Sequence, residues 1–215
     1  MHDTKMTKMI GEHWVCATLA RLGWAPALTR DGIARTDILA VGTHFVGRPR
    51  IEIQVKTSNV PSPDSQIREN FQLLRVKDEI ARSEHEWFAF VLIPPFPQAL
   101  RTFIVPRNHV CVAVWIEWRI LTNYLDSKQQ CDDKSKQVWS SWVTWQLYEE
   151  RWDLIGTPTS DIPVMLSHYY RYLVKNKFVD LPPGHPWDEE FPEWPDFEVM
   201  DGGVLGSSHP PDGRP

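Results

Sequence analysis

The chain has 215 residues, 42% of them hydrophobic and 24% charged, which suits one globular domain with a substantial core and room for a tail. Its longest apolar runs, WFAFVLIPPF and VCVAVWI, are too short and too interrupted to cross a bilayer, and no basic segment leads into an apolar run at the start, so a soluble, cytoplasmic protein without membrane contact is expected. The net charge of −5 divides unevenly: from His185 onward eight acids stand against one base, which is −7 and leaves residues 1–184 at +2.

TKMTKMIGEHWVCATLARLGW reads as a first helix ending near Gly23, because Met9, Val15, Cys16 and Leu19 fall on one stripe at about 100° per residue. Glu12 lies in that stripe while Lys8, Thr18 and Arg21 mark the solvated arc. An inward carboxylate needs a base or a metal as partner. TDILAV and RIEIQVKTS follow as two strands of a hairpin, joined by the Gly- and Pro-containing turn GTHFVGRP. DSQIRENFQLLRVKDEIARSE predicts a helix capped by Asp64 or Ser65; EWFAFVLIP and RTFIVP predict two strands, the first a continuous apolar run suited to a sheet interior. RNHVCVAVWIEWRILTNYLDS predicts a further helix, which gives the order α, β, β, α, β, β, α.

Beyond Ser127, KQQCDDKSKQ reads as a loop, WVTWQL as a strand, and YEERWDLIG and SDIPVMLSHYYRYLVKNKF as short closing helices, the last with Ser160 as cap. The whole is read as a domain over residues 1–184, with a core over about 1–125 and a helical extension over about 126–184. An acidic, Pro-rich tail over 185–215 is expected to lack packed structure of its own.

Cys16, Cys111 and Cys131 are odd in number and widely spaced, without CxxC or Cys/His spacing, which speaks against a disulfide frame or a zinc site. HExxH, GxxxxGK[ST] and GxSxG are absent. Trp115, Trp118, Trp142 and Trp145 are spaced for core packing rather than for base stacking. Arg30, Arg35, Arg48, Arg50, Arg68 and Lys77 surround the polar strand in sequence, either as phosphate contacts or as solvated surface.

The chemistry concentrates in IEIQVKTSN. Strand alternation puts Glu52, Gln54 and Lys56 on one face and Ile51, Ile53 and Val55 on the other. Antiparallel pairing across the hairpin brings Asp37, at the start of the partner strand, toward the end of the row that holds Gln54 and Lys56. Glu52 lies farther up the strand and is read as a structural ion-pair partner. Thr57 and Ser58 are weak candidates for phosphate contact.

An inward helical Glu, an Asp opening one strand and QVK on the next resemble the PD-(D/E)XK nuclease superfamily, over roughly the first half of the chain. RTD stands where the superfamily pattern has Pro-Asp, and Gln54 stands at its second acidic position, so the likeness is to a QxK variant. The resemblance implies a restriction-endonuclease-like α/β fold, a three-layer core with a central mixed sheet flanked by helices. Glu12, Asp37, Gln54 and Lys56 would be its active-site set, and its activity that of a DNA endonuclease.

Phosphodiester hydrolysis needs a nucleophilic water and dispersal of negative charge, which a hard divalent cation held by oxygens supplies. Asp37, the Gln54 side-chain oxygen, the Val55 carbonyl and Glu12, directly or through water, would hold Mg²⁺ or Mn²⁺. Lys56 would face the phosphate, orienting the water or offsetting charge. DNA is the expected partner; a homodimer, and contact of the acidic tail with the body or another protein, are compatible with this reading. The rival expectation is a catalytically inactive relative of the same fold that binds nucleic acid or a protein.

Overall fold

A computed structural model describes residues 4–29, 35–59, 73, 76–77, 79–126 and 145–195. The first helix, α1 (Thr4–Arg21), buries Gly11, Val15 and Leu19. It stops at Gly23, whose φ of +85° is the left-handed conformation that closes a helix cheaply only when no Cβ is present. Met9, expected in the buried stripe, is 43% exposed; Gly11 takes its place because the helix approaches the sheet too closely for a side chain.

Five strands follow in spatial order β1-β2-β3-β4-β5: β1 (Trp24–Leu28), β2 (Ile38–Gly42), β3 (Arg50–Asn59), β4 (Glu86–Ile93) and β5 (Arg101–Pro106). All neighbouring pairs are antiparallel except β3 and β4, which run parallel, so the sheet is mixed. The hairpin of β2 and β3 pairs Ile38 with Ile53 and Val41 with Arg50. The apolar run EWFAFVLI forms β4, next to the far edge and buried along nearly its whole length. Absent from the sequence expectations is β1; its WAPAL carries a proline, which an edge strand tolerates because one side has no ladder to serve.

Helix α1 covers one face, where its Trp14 indole donates to Thr102 Oγ1 on β5 at 2.9 Å. Phe88 and Phe90 lie on the other, with Trp145 stacked 5.1 Å from Phe90. Helix α2 (Arg107–Asp126) packs against β4 and β5, and the guanidinium of its first residue lies over the Phe88 ring. The result is an α/β architecture of three layers around a mixed sheet.

Several expectations change. The helix expected over 64–84 falls mostly outside the described residues, and 79–84 are not helical; the Arg82 and Ser83 N–H groups instead donate to Glu86 Oε1 at the head of β4. The described part of WVTWQL makes a single 3-10 turn, Gln146–Tyr148, rather than a strand, and Trp152–Leu154 makes another. The final helix shrinks to α3 (His168–Lys175), capped by Ser167, not Ser160. Pro163 explains this, since it pushes Ile162 into extended backbone and denies a helix its amide.

The acidic segment is the largest departure. Residues 185–195 are packed against the body: Trp187 and Trp194 are buried with their rings 5.8 Å apart. The Trp194 indole donates to the Leu166 carbonyl at 3.0 Å, and Val164 N–H donates to the Glu193 carbonyl. Aromatic burial outweighs the cost of ordering a Pro-rich chain, while Asp188, Glu189, Glu190 and Glu193 stay in water. Residues 196–215 lie outside the described part. Among the described residues no helix is long and apolar enough to cross a membrane.

Candidate active site

The site forms just before β2 begins, where β3 runs on past its partner strand. Asp37 N–H donates to the Ile53 carbonyl, and the Asp37 carbonyl accepts from Thr29 N–H, both at 2.9 Å, which anchors the residue on both sides. Its side chain then turns onto the strand edge, where Oδ2 accepts from Val55 N–H at 2.8 Å. The carboxylate thus replaces the missing rung of the ladder. Because N–H and C=O of one strand residue point the same way, the Val55 carbonyl lies on the same open edge beside Asp37.

Gln54 and Lys56 project from the face of β3 that carries Phe88 and Phe90 in register on β4. Burial pulls the Lys56 ammonium below its ordinary pKa, opposed by Asp37 and then by Glu79, while Lys8 and Arg107 add to the lowering. From the opposite side α1 delivers Lys8, whose Nζ lies 3.3 Å from Glu12 Oε1 and 3.4 Å from Asp37 Oδ1. Glu12 is therefore inward and has its base. A cleft of about 550 Å³ opens here, with Asp37, Gln54, Val55 and Lys56 in its wall beside Lys8 and hydroxyl- and amide-bearing residues such as Thr7 and Asn59.

The structure brings Asp37, Gln54, Val55 and Lys56 together around that cleft; Glu12 is not in its wall and joins them through Lys8. Glu52 is not an ion-pair partner in the described residues: its Oε2 accepts from Thr36 Oγ1 at 2.8 Å. The guanidinium of Arg35, a candidate phosphate contact, is bound to Glu86 and to the Ile80 carbonyl. Arg30 and Arg68 lie outside the described residues, and Lys77 sits over the rings of Trp115 and Trp118.

Two residues escaped the sequence reading. Lys8 was placed on the solvated arc, yet its i,i+4 spacing to Glu12 was a readable signal. Arg107 had no such signal. It is buried, and its Nη2 donates to Gln54 Oε1 at 3.2 Å and to the Arg35 carbonyl at 2.7 Å. The other nitrogens reach Glu79 Oε2 at 3.2 Å and Glu86 Oε2 at 2.9 Å. Gln54 is thus tied into a buried charge cluster behind the cleft.

The donors suit a hard divalent cation in kind: two carboxylates, a main-chain carbonyl and an amide oxygen, all oxygen. An ammonium already stands where the carboxylates converge, a stand-in for positive charge at that point. Among the described residues no three His, Cys, Asp or Glu side chains gather to hold a metal, so the neutral oxygens of Gln54 and Val55 would have to complete the set. Comparison with family models, with curated proteins and with solved structures gives no match, and the functional reading rests on this geometry.

Proposed function

We propose that the chain is a Mg²⁺-dependent nuclease of the PD-(D/E)XK type, also served by Mn²⁺, that hydrolyses phosphodiester bonds within DNA. The observation that carries this reading is the junction at Val55, where the Asp37 carboxylate is clamped to the strand edge by the Val55 amide with Lys56 one residue away. Asp37, Gln54, the Val55 carbonyl and Glu12 are the residues that would hold the cation. A bound divalent ion supplies a polarised phosphoryl oxygen and a water of lowered pKa.

The chain's own part is positioning and charge. The bonds that pin Asp37 on three sides leave its Oδ1 as the oxygen aimed away from the strand. The Lys56 ammonium, half sheltered on the cleft wall, is placed to offset charge that builds on a phosphate or to orient the attacking water. Its shelter matters because the same charge is worth more where water is thin.

A specific observation favours a second reading, a non-catalytic relative that binds nucleic acid or a protein: Arg107 already holds the Gln54 oxygen, and Lys8 already pairs with both carboxylates. Incubation of the purified protein with supercoiled plasmid, linear duplex, single strands and branched junctions, with Mg²⁺, Mn²⁺ or EDTA, separates them. The nuclease reading expects metal-dependent cleavage of at least one substrate. Binding without cleavage on every substrate supports the second reading.

A further inference from the structure

Lys8 touches two of the proposed metal ligands at once. Its contact with Glu12 runs along α1, whereas its contact with Asp37 crosses from α1 to the start of β2 and exists only in the folded protein. Resting on the divalent-cation reading of the site, we infer that Lys8 is a further positioning residue: its ammonium holds Glu12 and Asp37 together while no metal is bound and is exchanged for the divalent cation when one arrives.

Three observations carry this. The two carboxylates face each other across a single point of positive charge, and without a cation there they would repel. The exposures are unequal: the Lys8 side chain is 54% exposed, those of Glu12 and Asp37 16% and 20%. The acids are therefore the fixed part, and the ammonium, on a flexible four-carbon stem, can swing into water and leave them in place. Third, more than half of the Lys8 side chain lies in water, which screens its pairing with either acid, so the exchange asks less of the incoming ion than a fully buried pair would.

The test is Mg²⁺ titration calorimetry at low salt on the full chain, comparing wild type, Lys8→Met, Lys5→Met and Asp37→Ala. Lys5→Met removes the same charge about one turn earlier on α1. The inference expects Lys8→Met to bind Mg²⁺ about fivefold more tightly or better, Lys5→Met to change affinity less than about twofold, and Asp37→Ala to abolish binding. Equal or weaker binding by Lys8→Met, with Asp37 still required, overturns the exchange and leaves the metal site standing. Equal gains in both lysine variants also overturn it, since general charge would then explain the effect. If wild type and Lys8→Met both bind no Mg²⁺, or Asp37→Ala binds as wild type does, the metal reading itself falls, and the exchange with it.

Discussion

At Gln54 one oxygen has two claimants, the proposed cation and the Arg107 guanidinium 3.2 Å away. Gln54→Glu supplies a negative ligand at the same reach but also a better partner for Arg107, so the gain in Mg²⁺ affinity should be limited to roughly three- to tenfold. Titration of Mg²⁺ into the variant checks this; unchanged affinity would show that Gln54 is not a ligand. Asp37, Gln54 and Lys56 were legible in the sequence because strand alternation and hairpin pairing are local rules. Glu12 was legible because it interrupts an apolar stripe. Arg107 was not, since three of its four partners, Glu79, Gln54 and Arg35, lie 28 to 72 positions away in the chain and the fourth, Glu86, stands at the head of β4, and no periodicity encodes such contacts.

Between elements, the approach of α1 to β3 decides whether Lys8 and Glu12 reach the site. A Cβ on Gly11 would meet Thr57 Oγ1 at 1.9 Å, and that hydroxyl is buried with no hydrogen-bond partner among the described residues. Gly11→Ala should therefore push the helix off the strand and destabilise the protein by about 1–3 kcal/mol. Thr57→Ala in the same chain removes the 1.9 Å clash with Oγ1 and the unsatisfied hydroxyl, leaves a tight 3.0 Å contact with the residue 57 Cβ, and should recover part of the loss. Denaturant unfolding of the two single variants and the double variant checks it, with additive losses as the contrary result. The order of strands β2 to β5 and the two long helices were readable from periodicity. The single-turn 3-10 segments were not, because Trp- and Tyr-rich stretches satisfy helix, strand and core patterns alike. Pro163, visible in the sequence, was the signal that the last helix must start late.

Over the whole molecule the surprise is that the segment around Trp187 belongs to the core. His109 and His185 sit under it, with Trp187 5.4 Å and 4.9 Å from their respective rings. Full burial, and then His185, hold His109 down at about 3; burial, opposed by a backbone contact at Asn108, holds His185 at about 4. The unfolded chain takes up these protons near pH 6.5 and the folded one does not, so stability is complete above that pH and falls progressively below it. At pH 5 each histidine should cost roughly 2 kcal/mol; urea unfolding at pH 7 and pH 5 reads the loss, and the His109→Phe variant should show a smaller one. Composition alone read residues 185–215 as a tail, because prolines and acids outnumber the tryptophans that anchor 185–195. A chain cut after Pro183 should consequently lose stability by several kcal/mol with Trp187 and Trp194 gone. One cut after Pro195 keeps both tryptophans and should unfold as wild type does, while binding DNA more tightly at low salt because the cut removes four acids (Asp196, Glu198, Asp201 and Asp212) against one base (Arg214). The most direct test of the central claim is Mg²⁺-dependent nicking of supercoiled plasmid by wild type, Asp37→Asn and Lys56→Ala, with DNA affinity measured alongside. The account predicts nicking by wild type and a loss of at least about a hundredfold in both variants, with folding intact. Nicking by either variant near the wild-type rate, or its absence in wild type on DNA that the protein demonstrably binds, would contradict it.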